Sequence, residues 1–308
     1  MNLATREAFG SALVELKSNE EVVVLDADLS HATKSIMFSK ECPDRFFNAG
    51  ISEADMMGMA SGLALSGKIP FACTFAVFAT GRAFDQIRNS ICYPNVNVKV
   101  VGTHAGISVG EDGGTHQSIE DIALMRSLPN MTVIHPCDDV EARQAVLAAA
   151  EHDGPVYLRL SRVATPTLHS EDYKFEIGKG EVITEGKEAA IVSTGLMVAK
   201  AKEAAEILSK QGINVKVINL PTIKPLDQSL LLETANEVDY FVTVEEHTVI
   251  GGLGSAVSEL LSQNNPKKMS MIGIQDSFGK SGNPDELFEI YGLTVENIVE
   301  STKKLLGK

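Results

Sequence analysis

The sequence predicts an α/β protein of two domains, each with a parallel-type sheet flanked by helices. Two observations carry that expectation. Short apolar runs alternate with helix-period stretches along the chain, the pattern of strands buried on both faces and joined by crossover helices. The alternation fades once, from about residue 164 to 185, and then resumes. The expected division is residues 1–165, a linker at 166–185, and a second domain at 186–308. A chain of 308 residues, 44% hydrophobic and 22% charged, can bury a real core in each part.

Charge and composition exclude several roles. A formal net charge of −14 argues against a nucleic-acid or anionic-membrane partner. The opening MNLATREAFG has no leader pattern, and no apolar run is long enough to span a bilayer. Cys42, Cys73, Cys92 and Cys137 are too scattered to suggest a zinc site or a disulfide framework. A soluble cytoplasmic protein is the default expectation.

Taken in order, residues 4–18 read as a helix with Ala8, Leu13, Val14 and Leu16 facing a core. Val22–Leu25 is a buried strand, with Asp26 and Asp28 at its exit. Asp28 is either a helix cap or a site carboxylate, and its position alone favours capping. A helix then starts at Ser52, where Ser52 and Asp55 resemble a capping box. Glu53 falls in its first turn, where the helix dipole favours a carboxylate. Gly58 and Gly62 thin one side of this helix, for close core packing or for a subunit contact. A strand at Ile69–Thr74 leads to Phe75, Phe78 and Phe84, which suit a core or the wall of a flat heterocycle.

The next strand, from Val98, runs into a loop ending at Gln117. It carries His104, Ser108, Glu111, Asp112, Thr115 and His116, with five glycines between Gly102 and Gly114. Loops at the carboxyl ends of buried strands are where open α/β sheets place their ligands; the alternative is a solvated surface loop. A helix near Ser118–Ser127, a strand at 131–136, a helix capped by Asp138 with Glu141 three residues on, and a strand at 155–162 complete this half. Arg162 lies just past that last strand. The second half repeats the pattern, with strands at 189–195, 214–221, 240–247 and 269–274. Its helices are expected at 198–211, 228–238, 253–263 and 294–306. The glycine run at 250–254 lacks the third glycine of a dinucleotide fingerprint and reads as a tight turn, with anion binding as the alternative.

Six stretches together carry a resemblance. ATR at 4–6, ADLS at 27–30, GISEADMMGMASGLA at 50–64, TFAVF at 74–78, THAGISVGEDGGTHQ at 103–117 and LSR at 160–162 resemble the C-terminal half of a transketolase. That half is a pyrimidine-binding domain followed by a smaller C-terminal domain, and the match runs in order over essentially the whole chain. The loop at 103–117 is the most specific part. A 2-oxoacid dehydrogenase beta-type subunit, a deoxyxylulose-phosphate synthase relative and a non-catalytic paralogue serving as a scaffold are the alternatives. Glu53, His104, Asp112 and His116 together count against a scaffold.

The resemblance implies thiamine diphosphate and Mg²⁺ as cofactors, and transfer of a two-carbon ketol group from a ketose phosphate to an aldose phosphate. Under it, Glu53 is catalytic and bonds N1′ of the cofactor's aminopyrimidine. That overturns the bland reading of Glu53 as a first-turn charge. Phe75 and Phe78 would wall the pyrimidine, and Asp28 would lie near the thiazolium. His104, also catalytic, and Asp112 would contact substrate hydroxyls, while His116, Arg162 and Arg6 would approach the sugar phosphate. Two departures stand out: Gly81 replaces a third aromatic, and the phosphate-binding serine has no exact counterpart, with Thr33 or Lys34 as the candidate substitutes. No G-D-G motif occurs, so the Mg²⁺ and diphosphate ligands are expected on a partner, an N-terminal transketolase subunit, in an α2β2 assembly with a second copy of this chain.

Overall fold

The computed structural model describes residues 2–308. Its strands in the first half are β1 (Asn2–Ala4), β2 (Val22–Asp26), β3 (Phe46–Asn48), β4 (Ile69–Phe75), β5 (Lys99–Thr103), β6 (Thr132–Ile134), β7 (Val156–Arg159) and β8 (Ala164–Pro166). Those of the second half are β9 (Glu181–Thr184), β10 (Ala190–Ser193), β11 (Lys216–Asn219), β12 (Thr222–Lys224), β13 (Tyr240–Thr248) and β14 (Lys268–Ile274). A seven-stranded sheet has the order β12-β6-β7-β5-β4-β2-β3, and a five-stranded sheet the order β14-β13-β10-β11-β9. All pairings within the two sheets are parallel except β12 with β6 and β9 with β11.

Both faces of each sheet are covered, which is why the strands read as unbroken apolar runs. Successive residues of β2 point to opposite faces. Val22 and Val24 pack with Phe9, Leu13 and Val146, under the helices Thr5–Glu15 and Asp139–Glu151. Val23 and Leu25 pack with Met56, Met57 and Ile87 on the other side. The second sheet is sandwiched likewise, with Ile191 and Val217 on one face and Val192 and Ile218 on the other.

The segment expected as a linker, 166–185, is bounded by paired strands: Ala164–Pro166 pairs with Asn2–Ala4, and Glu181–Thr184 is an edge strand of the second sheet. The halves also interlock, because β12 leaves the second half to cap the edge of the first sheet. An additional helix, Pro284–Ile290, starts from an Asn283 cap where no periodicity announces one. Gly58 and Gly62 meet nothing within 4 Å where a Cβ would stand, which removes core packing as their reason.

The linker is fastened by His169. Its Nδ1 lies 2.8 Å from Asp138 Oδ2 and its Nε2 2.8 Å from Glu181 Oε2, joining the first domain to the second sheet. Burial opposes a charge on this imidazole. The Asp138 hydrogen bond and the charges of Glu141, Asp138 and Glu181 prevail and raise its pKa to about 9. A raised histidine pKa stabilises fully below the unfolded value of about 6.5, and that contribution is lost as pH rises through about 9. His169→Gln is therefore expected to lower the melting temperature at pH 6 and to have little effect near pH 10. A mutant deficit independent of pH would refute the charged bridge.

Candidate active site

The expected residues converge at the carboxyl ends of the central parallel strands. β5 ends at Thr103, and His104 follows at φ +55° with its ring buried. That ring stacks on Phe75 at the end of β4, with centroids 3.9 Å apart. Arg6, from the first turn of the first helix, donates to His104 Nε2 at 3.1 Å and to the Ala32 carbonyl at 2.9 Å. A guanidinium only donates, so Nε2 must accept and the ring proton belongs on Nδ1, 2.9 Å from Thr103 Oγ1. Burial, with the charges of Arg6, Arg162 and Lys34, pushes the His104 pKa down to about 3. His104 is a neutral imidazole with a fixed tautomer. Burial and the nearby Arg162 charge also lower the pKa of Arg6, against the opposing pull of Glu7.

Arg162 joins this group from the end of β7. It donates to the Val109 carbonyl, and its Nη1 lies 3.6 Å from Glu111 and 3.9 Å from Asp112. Asp112 is thus placed by the loop against an arginine, at the mouth of the group. Phe75 and Phe78 stack at 5.9 Å with nearly parallel rings, and His116 meets the Phe78 ring edge-on at 5.4 Å. A Cβ at Gly81, where the resemblance expects a third aromatic, would meet nothing within 4 Å.

Glu53 opens the helix Glu53–Leu65 and is 2% exposed. Its expected capping box does not form: the Ser52 hydroxyl donates to the Ala49 carbonyl instead. Arg82 faces the carboxylate and donates from Nη1 to Oε1 at 2.9 Å and Oε2 at 2.8 Å. The same guanidinium lies over the Phe78 ring, 4.6 Å from its centroid. The sequence reading missed Arg82. It stands at the end of the π-helical segment Phe78–Arg82, whose wide turns give no helical period to read.

Asp28 contacts none of these residues. It sits at φ +63° beyond β2 and accepts from Asn48 Nδ2 at 3.1 Å. Nor does Asp28 cap a helix, since the short helix Ser30–Thr33 has no side-chain cap; its neighbour Asp26 accepts from Leu29 N, Thr33 Oγ1 and Ser35 Oγ at 2.6, 2.7 and 2.8 Å. Thr33 is therefore committed inward, while Lys34 pairs with Glu7 at 3.3 Å. The turn at 250–254 holds a carboxyl group of the protein's own, which burial pushes up to about 7. Leu253 and Gly254 donate their N–H groups to Glu245 at 2.7 and 2.8 Å, using the positive end of the helix Leu253–Asn264.

A buried carboxylate paired to Arg82, a stacked aromatic pair and the Arg6–His104–Arg162 group thus lie together beyond the carboxyl ends of the central strands. Residues 1–167 match the transketolase pyrimidine-binding domain and residues 178–298 the transketolase C-terminal domain. The chain belongs to the transketolase family. It is 49% identical over 307 residues to a putative transketolase C-terminal section of Methanocaldococcus jannaschii, covering 98% of this chain and 96% of that one. It is 42% identical to a 6-deoxy-6-sulfo-D-fructose transketolase subunit of a Clostridium species, over 97% of this chain and 94% of that one. A solved split-gene transketolase, described as an inactive beta4 tetramer, superposes with a TM-score of 0.93 at 53% identity and 99% coverage of both chains. Transketolases depend on thiamine diphosphate. Among the described residues, no helix is long and apolar enough to cross a membrane.

Proposed function

We propose that this chain is the C-terminal subunit of a two-chain transketolase, which moves a two-carbon ketol group between anionic sugars. The observation that supports the reading is the gathering of Glu53, the Phe75–Phe78 pair and the Arg6–His104–Arg162 cluster at the carboxyl ends of the central strands. Its near end-to-end similarity to relatives named as a section and as a subunit supports a second chain. That chain would supply the Mg²⁺ and diphosphate ligands, because Mg²⁺ takes oxygen ligands and substrate phosphates in near-octahedral geometry. The two chains would assemble with second copies as α2β2.

The residues fit the aminopyrimidine end of thiamine diphosphate. Glu53 offers a buried carboxylate for a ring-nitrogen proton, tied through Arg82 to the stacked Phe75–Phe78 pair. When bound, the cofactor supplies a stabilised carbanion for carbon–carbon bond cleavage. Glu53 holds the proton at the pyrimidine, with Arg82 fixing the carboxylate. Neutral His104 and Asp112 would bond substrate hydroxyls, Asp28 would serve the thiazolium end, and His116, Arg162 and Arg6 would hold the sugar's terminal anion. Arginines suit that task because the planar fork matches tetrahedral oxyanions.

Purified alone, the chain is expected to show no ketol transfer and to gain it when mixed with a partner carrying a G-D-G domain. Full activity without a partner would sink the two-chain reading. In the assembled enzyme, Arg162→Ala should cut kcat/KM for a phosphorylated aldose by about 10- to 200-fold, as expected for a charge-assisted hydrogen bond. With glycolaldehyde, which has no anion, the rate should barely move. Equal losses on both acceptors would make Arg162 structural, and a wild-type preference for a sulfonated sugar would move the assignment to that substrate.

A further inference from the structure

The loop 104–117 carries His104, Asp112 and His116, yet much of what holds it comes from the second domain. Glu246 on β13 is 1% exposed, and its Oε1 accepts from the Ser108 N–H at 2.6 Å. The loop is shaped around this carboxylate. Gly106 sits at φ +80°, and a Cβ there would fall on the Glu246 carboxyl group itself. Gln117 Nε2 donates to the Ile107 carbonyl at 3.1 Å inside the loop and to the Lys280 carbonyl at 2.8 Å outside it. Ser281 Oγ donates to the Glu111 carbonyl at 2.6 Å, one residue before Asp112. Among these ties only Glu246 brings a charge, and it is the one that enters the loop's interior.

We propose that Glu246 is a positioning residue, through which the C-terminal domain holds the loop 104–117 in the shape that presents His104, Asp112 and His116 to substrate. The inference rests on the transketolase reading for what the loop binds, and on geometry alone for what holds the loop. Charged groups face Glu246 from two other elements: Arg159 on β7 favours its ionised form, and Asp121 on the helix Asp121–Ser127 disfavours it. Glu245 and His247 flank it on β13. Burial pushes its carboxyl up to about 7, against Arg159 and the Ser108 groups. The anionic acceptor that fixes Ser108 is thus present above about pH 7 and lost below it.

Hydrogen exchange of the full chain, read on peptides spanning 104–117 and corrected for the intrinsic rate, tests this without reference to activity. In the wild type the loop should exchange faster as pH falls through about 7, while β2 and β10 hold their protection. Glu246→Gln keeps shape but not charge, and should raise loop exchange about 5- to 10-fold at pH 8 and abolish the pH dependence. In the assembled enzyme the same variant should lower kcat/KM for the sugar by a similar factor and flatten its pH dependence near 7. Wild-type loop exchange that is flat across pH 7, or a pH dependence that persists in Glu246→Gln, overturns the proposal. Should the variant lose protection in both sheets, the wild-type titration decides alone. A wild-type assembly without ketol transfer would sink the transketolase reading and leave the exchange result standing.

Discussion

Glu53→Gln is expected to slow exchange of the C2 proton of bound thiamine diphosphate by about 10²–10⁴, the range for loss of a general acid–base group. The substitution keeps size and one carboxyl-like oxygen, so cofactor affinity should stay close to that of the wild type. Arg82 donates to both oxygens of Glu53, and the amide can accept only through one, which frees part of the guanidinium without opening a cavity. The measurement is proton exchange by NMR on the assembled enzyme, with cofactor binding read separately. An unchanged exchange rate would leave Glu53 as a first-turn helix charge paired to Arg82 and no more. Loss of cofactor binding together with exchange would make its role one of affinity.

Elements with strong local signals were legible in the sequence. Asp138 followed by Glu141 predicts a cap, and Glu141 N does donate to Asp138 Oδ1 at 2.8 Å. The buried strands read directly from their apolar runs, because a parallel sheet covered on both faces favours apolar residues at successive positions; charged residues such as Arg159 and Glu246 interrupt them and meet across the domains. The loop at 103–117 was conspicuous because its imidazoles, carboxylates and glycines crowd one strand end. What local pattern could not give was anything set by distant partners. Ser52 and Asp55 carry the letters of a capping box, but the Ser52 hydroxyl turns to Ala49. Asp26 and Asp28 stand two positions apart but differ in setting: Asp26 ends β2 and is drawn inward by three donors, while Asp28 lies beyond the strand at φ +63°. Arg82, β12 and Glu246 act across 29, 88 and 138 positions of sequence. Separations of that kind are fixed by the tertiary fold and leave no periodic trace.

Asp121→Asn is expected to destabilise the protein by about 3–5 kcal/mol, the cost of removing one partner of a buried ion pair. Asp121 and Arg159 are both fully buried. Asp121 Oδ2 accepts from Arg159 Nε and from the Tyr157 hydroxyl, each at 2.7 Å. The guanidinium spends its remaining donors on His135 Nε2 at 3.2 Å and on the Ser118 and Glu246 carbonyls at 3.4 and 3.0 Å. It is therefore a rivet between the two domains, since Glu246 belongs to the second sheet. Burial alone would raise the pKa of Asp121; the charge and hydrogen bonds of Arg159 outweigh it and hold the carboxyl below its usual value. A depressed carboxyl pKa stabilises above the unfolded value of about 3.9 and loses that contribution as pH falls through the lower folded one. Urea unfolding at pH 7 should show the full deficit of the mutant, and the gap to wild type should narrow in strong acid. Asp121→Asn with Arg159→Met removes both charges and should recover much of the loss, because the uncompensated cation is what costs most. A single-mutant deficit below about 1 kcal/mol would place the pair in the range of solvated surface bridges and refute the rivet.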